Sequence, residues 1–101
     1  MRVTLAPLAE QDLESIGDYI AQDNPNRVVT FIGELREQCK RIADNPAAYR
    51  LRLELGDGIR SCAHGQYVIF FEIVPESMRV VRILHGARDL PTLFHEGDVS
   101  P

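Results

Sequence analysis

A chain of 101 residues fits one domain and leaves no room for two. Its apolar share of 45% is ordinary for a soluble globular chain, and no apolar run approaches the roughly 20 residues that span a bilayer. A net charge of −4 argues against indiscriminate coating of nucleic acid.

The charge is unevenly spread. Residues 1–46 carry five basic and eight acidic side chains, net −3, whereas residues 47–94 carry six arginines and five acids, net +1. Residues 95–101 hold Glu96 and Asp98 and read as a short acidic tail after a single domain over 1–94. The opening run Met1-Arg2-Val3-Thr4-Leu5 has no signal-peptide core, so a cytoplasmic location is expected. Cys39 and Cys62 each lie among apolar neighbours and read as single core thiols, not as a disulfide. No Cys/His cluster has metal-ligand spacing, so neither a metal nor another cofactor is expected.

Residues 2–5 read as a short strand. Pro7 suits the first turn of a helix, and Ala9, Leu13, Ile16 and Ile20 follow at helical spacing. Glu10, Glu14 and Asp18 mark the solvent side. Asn24-Pro25 ends this helix and starts the next, with Asn24 as N-cap and Pro25 at N1. Val28, Phe31, Ile32, Leu35, Cys39 and Ile42 form the second stripe, which Asn45-Pro46 closes. So short a link requires an antiparallel helical hairpin.

The period then switches to two. Leu51, Leu53 and Leu55 alternate with Arg52 and Glu54 and predict a strand whose leucines face the helices. Gly56-Asp57-Gly58 is a turn signal before a strand over Ile59–Ala63. His64-Gly65-Gln66 turns again, and His64 is expected to be solvent-exposed. Tyr67 to Val74 is apolar on nearly both faces and should be central. Pro75-Glu76-Ser77 turns into a last strand, Met78–His85. Gly86 breaks it, and Asp89 to Phe94 suits one helical turn. The expected architecture is a two-layer α+β domain: an N-terminal strand, a helical hairpin and a four-stranded antiparallel meander.

Strand parity groups Arg50, Arg52, Arg60 and Arg82 on the side of the sheet away from the helices, with Arg82 sharing a face with Val80 and Leu84. Clustered guanidinium groups suit phosphate recognition. The same arginines also suit plain surface pairing with Glu54 or Glu72, and spacing leaves both readings open. The segment Arg82-Ile83-Leu84-His85-Gly86-Ala87-Arg88-Asp89 places a histidine, two arginines and a carboxylate at a strand end. His85 suits a general base near neutral pH. It equally suits a sheet cap, with Arg88 and Asp89 paired to each other. Tyr49 and Tyr67 read as partial core. A two-layer domain has helices for one sheet face only, so apolar surface is left over near Leu8, Tyr19, Val29 and Phe70. Leftover patches mark partner sites, unless Leu93 and Phe94 fold back over them.

Several phrases together resemble the ParE toxins of the RelE/ParE superfamily. They are Leu5-Ala6-Pro7-Leu8-Ala9-Glu10-Gln11-Asp12-Leu13, Gly58-Ile59-Arg60-Ser61, Gly65-Gln66-Tyr67-Val68-Ile69-Phe70-Phe71 and, most specifically, His85-Gly86-Ala87-Arg88-Asp89-Leu90. The resemblance covers about residues 3–94. It implies a type II toxin–antitoxin system, associated with plasmid stabilization, in which a ParD-like antitoxin covers the toxin. It also implies a non-enzymatic inhibitor of DNA gyrase, without direct sequence-specific nucleic-acid binding or a membrane role. Target contact is then expected at Arg60, Arg82, His85, Arg88 and Asp89, and antitoxin contact at Leu8, Tyr19, Val29 and Phe70. Arg82 and Arg88 are expected to serve the target without serving the antitoxin. The RelE branch, which cuts mRNA on the ribosome, is the alternative, with Arg60, Arg82 and His85 as its catalytic set. The apolar run Leu90-Pro91-Thr92-Leu93-Phe94 departs from that branch, which carries a tyrosine or histidine with basic neighbours there. A non-toxic relative that only binds an antitoxin is the third reading.

Overall fold

A computed structural model describes residues 1–86. The chain runs β1 (Arg2–Leu5), α1 (Pro7–Asp23), α2 (Pro25–Asp44), a 3-10 turn (Pro46–Ala48), β2 (Arg50–Leu51), β3 (Ile59–His64), β4 (Tyr67–Val74) and β5 (Ser77–His85). The strands form one sheet in the order β1-β5-β4-β3-β2. The meander β2–β5 is antiparallel throughout, and β1 adds to β5 in parallel. The central strand is β4, as its two apolar faces predict.

Each helix forms for reasons visible in its ends. Pro7 and Pro25 occupy first-turn positions, where the missing N–H costs nothing. Asn24 serves both helices: its N–H donates to the Ile20 carbonyl, and its own carbonyl accepts from Arg27 N–H. Its side chain makes no capping bond, contrary to expectation, because Asn24 is also the extended closing residue of α1, at φ −149°. Gly17 lies where α1 meets α2; a Cβ there would touch Val28 at 3.4 Å.

The main core lies between the hairpin and the sheet. Ala9, Leu13 and Ile16 of α1 and Leu35, Cys39 and Ile42 of α2 pack on Ile69, Phe71, Met78, Val80 and Ile83. Tyr49 and Tyr67 are half-buried at its margin, Tyr49 edge-on to Phe71. A second, smaller core on the opposite face holds Leu55, Ile59, Phe70 and Leu84.

Three expectations fail here. The strand predicted over Leu51–Leu55 is only two residues long. Arg52 N–H makes a last bond to the Ile59 carbonyl, and the chain then turns, with Leu55 N–H bonding to Arg52 O. Gly56 at φ 152° and Gly58 at φ 74° carry the turn onward. Leu51 and Leu53 are therefore exposed, Leu53 at 67%, and Leu55 drops into the second core, away from the helices.

The four arginines do not all share a face: Arg50, Arg52 and Arg82 lie with Phe70 on the helix-free side, and Arg60 departs from them. Arg60 sits opposite Phe71 on the helix side of the sheet. A bulge in the β4–β5 pairing follows Phe70↔Arg82, so that Phe71 pairs with Val80 and Val81 is the extra residue. A bulge inverts parity. Val80 thus joins the main core and Leu84 the second, and Arg82 cannot share one face with both.

Finally, His64 is not in open solvent. Its side chain is 21% exposed, its ring lies 5.9 Å from Phe31, and its Nε2 is 4.0 Å from Glu34. The helical turn expected over Asp89–Phe94 falls outside the described residues.

Candidate functional site

The edge of β5 is covered by two different elements in succession. As far as Val80 it pairs with β1, and Ala6 N–H closes the pairing onto Val80 O at 2.9 Å. Beyond that point β1 has ended, and α1 passes the edge instead. Asp12 of α1 supplies the acceptor that a strand would have supplied. Its Oδ2 accepts Ile83 N–H at 2.9 Å and Arg82 Nε at 2.8 Å, while its Oδ1 accepts Arg82 Nη2 at 3.0 Å. Both side chains are nearly buried, at 13% exposure for Arg82 and 12% for Asp12. A fork-to-carboxylate pair in such a place is a structural bond between helix and sheet.

Beside this pair opens a cleft of about 680 Å³ between the α1 flank and the end of β5. Leu8, Asp12, Ser15 and Tyr19 line it from the helix at successive turns, and Tyr67, Arg82 and His85 from the sheet. His85 Nε2 lies 3.3 Å from Gln66 Oε1, and its ring meets Tyr67 edge-on at 5.5 Å. Burial, with a smaller contribution from Tyr19, pushes the Tyr67 hydroxyl above its usual pKa. The cleft thus offers aromatic, hydroxyl, amide and imidazole groups beside the Arg82–Asp12 pair.

Four of the sequence-selected residues thus surround one cleft: Leu8 and Tyr19, chosen for the antitoxin, and Arg82 and His85, chosen for the target. Tyr19 is 65% exposed. Arg60 lies elsewhere. Its Nη1 donates to the carbonyls of Tyr49 at 2.7 Å and Ala47 at 3.2 Å, tying the 3-10 turn to β3. Val29 is 79% exposed on α2 but does not line the cleft. Phe70 is wholly buried in the second core, so it offers no surface to a partner. Phe70 stands on the helix-free face, but Leu55 and Ile59 pack against it there. Arg88 and Asp89 lie outside the described residues. Arg82 bonds to Asp12 of α1, so it does not stand clear of the helices.

Sequence reasoning passed over Asp12. It stands off the acidic line Glu10, Glu14, Asp18 and falls, with Leu8, Ser15 and Tyr19, on the flank beside the apolar stripe. A carboxylate displaced toward the buried side was the available signal.

Among the described residues, no group of three or more His, Cys, Asp or Glu side chains could hold a metal. Cys39 and Cys62 are free thiols, and burial pushes the Cys39 pKa up to about 11, with a further rise from Cys62. No helix among the described residues is long and apolar enough to cross a membrane.

Comparison with solved structures finds the same fold. A chain of the chromosomal ParDE toxin–antitoxin system from P. aeruginosa superimposes with a TM-score of 0.74 at 18% identity, covering 84% of this chain and 95% of the other. A chain of the RelBE2 toxin–antitoxin complex from Mycobacterium tuberculosis gives 0.56 at 21% identity, covering 83% and 95%. No curated protein matches the sequence significantly. The family model for the ParE toxin of the type II toxin–antitoxin system parDE matches residues 3–90, which takes in nearly all of the described residues and four positions beyond them. The chain belongs to the ParE toxin family of type II toxin–antitoxin systems.

Proposed function

We propose that this chain halts replication by binding DNA gyrase and holding it on cleaved DNA, and that a ParD-like antitoxin silences it by covering the α1 flank of the cleft. The observation that carries this reading is the meeting of Leu8 and Tyr19 with Arg82 and His85 around one cleft. An antitoxin seated on the helix flank would lie over the target-facing residues, so neutralisation needs no change of shape. The target arrives as a protein surface, the chain performs no reaction of its own, and the encounter takes place in the cytoplasm.

The ribosome-dependent nuclease is the second reading. It needs cations gathered on a scissile phosphate. Arg60 is bound to two backbone carbonyls on one side of β4, and Arg82 to Asp12 on the other. That arrangement favours the inhibitor.

Induction of the chain alone in bacteria, with thymidine and methionine incorporation followed over the first minutes, tests the proposal. The expected outcome is early loss of DNA synthesis with protein synthesis intact, and accumulation of cleaved plasmid when purified gyrase is mixed with the chain. Early loss of methionine incorporation would transfer the assignment to the nuclease, and an absence of either effect would leave a non-toxic antitoxin binder. Tyr19→Ala should weaken the antitoxin complex by about tenfold, since an exposed tyrosine at a contact behaves as an anchor.

A further inference from the structure

The cleft does not stop at the edge of the sheet. Leu8 and Arg82, which line it, also line a second hollow of about 400 Å³ on the helix-free face. That hollow lies between the start of α1 and the turn joining β2 to β3. Leu55, Ile59 and Val81 give it aliphatic walls, and Asp57 and Glu72 add two carboxylates to its lining.

Local structure explains why charge stands beside this apolar surface. Gly56 and Gly58, at φ 152° and 74°, bend the chain on either side of Asp57. The bend sends Leu55 into the second core and leaves Asp57 exposed. Asp57 makes no hydrogen bond or ion pair among the described residues. Glu72 pairs with Ile59 across β3 and β4, so both stand on one face. Its ion pair to Arg79 is 3.5 Å long, and its side chain stays 30% exposed. Arg82 already faces the counter-charge of Asp12. The hollow therefore carries an excess of negative charge.

Aliphatic walls with carboxylates at their margin complement one kind of side chain. Lysine and arginine lay their methylene stems along apolar surface and keep the charged head at its edge. A divalent cation fits badly, because it takes about six oxygen ligands and these walls supply carbon. Charge also selects the partner. A protein that holds DNA does so with lysine and arginine. A chain of net charge −4 is drawn to such a surface, whereas a second copy of the chain offers the same sign of charge.

We propose that this hollow is the anchoring pocket for a lysine or arginine of the target protein, whose contact runs from the cleft across Leu8 and Arg82 onto the helix-free face. The inference rests on the reading that the target is gyrase, and it adds the chemistry by which that target is recognised. Asp57 and Glu72 stand on the face away from the helices, so target and antitoxin part company there.

The test measures binding of the full chain to purified gyrase by surface plasmon resonance at low and high salt, and to the full-length antitoxin by calorimetry. Asp57→Asn/Glu72→Gln keeps the shape of both side chains and removes both charges. It should weaken the gyrase complex by about tenfold at low salt and less at high salt, with antitoxin affinity unchanged. Glu14→Gln/Asp18→Asn alters the net charge equally, at exposed positions of α1 outside both concavities, and should bind gyrase like the unaltered chain. Asp57→Asn alone replaces the double variant if a thermal melt shows that Glu72→Gln disturbs the sheet. Unchanged gyrase affinity in the variant, or an equal loss in the Glu14→Gln/Asp18→Asn chain, would overturn the pocket while leaving the gyrase reading intact. Loss of antitoxin affinity with gyrase binding unchanged would overturn its assignment to the target. Failure of the unaltered chain to bind gyrase would overturn both readings.

Discussion

On the helix-facing side of the sheet, α1 and α2 lay two apolar stripes over Ile69, Phe71, Met78, Val80 and Ile83. On the other side, Phe70 and Leu84 are buried with only Leu55, from the turn between β2 and β3, and Ile59, at the start of β3, as the other buried members of their cluster. Yet Phe70 and Phe71, neighbours on one strand and facing opposite ways, are equally inaccessible. A sheet face without helices can therefore still be closed, by a loop that carries two or three apolar side chains at the right offset. The partner surface then has to be sought at the margins: in the cleft beside α1, and in the hollow between the start of that helix and the loop.

That contrast can be broken by substitution. The largest effect is expected on the helix side. Ile16→Glu puts an unpaired carboxylate into the main core and should cost about 4 kcal/mol or more, enough to abolish cooperative unfolding in a circular dichroism melt. A soluble, sharply melting Ile16→Glu protein would mean that the α1 stripe is a docking surface and not core.

Next comes the loop-covered face. Phe70→Ala should cost about 3 kcal/mol, comparable to Phe71→Ala on the helix side, because a well-packed cavity costs the same whatever element lines it. A loss below about 1 kcal/mol in denaturant titration would show that the loop lies loosely over the sheet.

A similar loss is expected at the flank. Arg82→Ala leaves Asp12 without its counter-charge and should cost about 3 kcal/mol, and Asp12→Ala/Arg82→Ala less than the sum of its two single changes. Strict additivity would mean that the two side chains are coupled only in appearance. Toxicity of Arg82→Ala is interpretable only beside its stability, since this arginine holds helix to sheet as well as facing the cleft.

The smallest effect lies in solvent. The Arg27 guanidinium, hydrogen-bonded to Glu34 at 2.7 and 3.0 Å, holds that carboxyl below its ordinary value of 4.5, against a weaker opposing effect of burial. A depressed carboxylate pKa stabilises the fold above the unfolded value, and the benefit fades as pH falls through the folded one. The difference in melting temperature between the unaltered chain and Glu34→Gln should therefore be constant above about pH 5 and shrink below pH 4.5. Salt should shrink it as well, because the pair is exposed. A difference that grows on acidification would contradict the pairing.

Much of this molecule was legible from residue order. Proline positions and apolar spacing placed both helices, and glycine turns with period-two runs placed β3, β4 and β5 almost to the residue. The leucine alternation over 51–55 misled because period two describes a strand only while a partner continues beside it. The β2–β3 pairing stops after two residues, and the third leucine then serves the opposite face.

The candidate site was legible in part. Leu8 and Tyr19 shared a helix flank by spacing, and Arg82 and His85 shared a strand end. Nothing local indicated that these two pairs face each other, or that Asp12 would stand in for a missing strand, 70 positions away from Arg82 in the chain.

The sequence by itself determined the element types, the helical hairpin, the central place of β4 and membership of the ParE toxin family, because these depend on periodicity, turn chemistry and local phrases. The tertiary structure decided the parallel docking of β1 on β5, the bulge that sets Arg82 on the face of Phe70 and not on that of Val80, the bond from Arg82 to Asp12, and the closure of the second face over Phe70. Those depend on which backbone groups lack a partner once the sheet is assembled. The free end of the β5 edge, and the apolar face left without a helix, exist only in the folded chain.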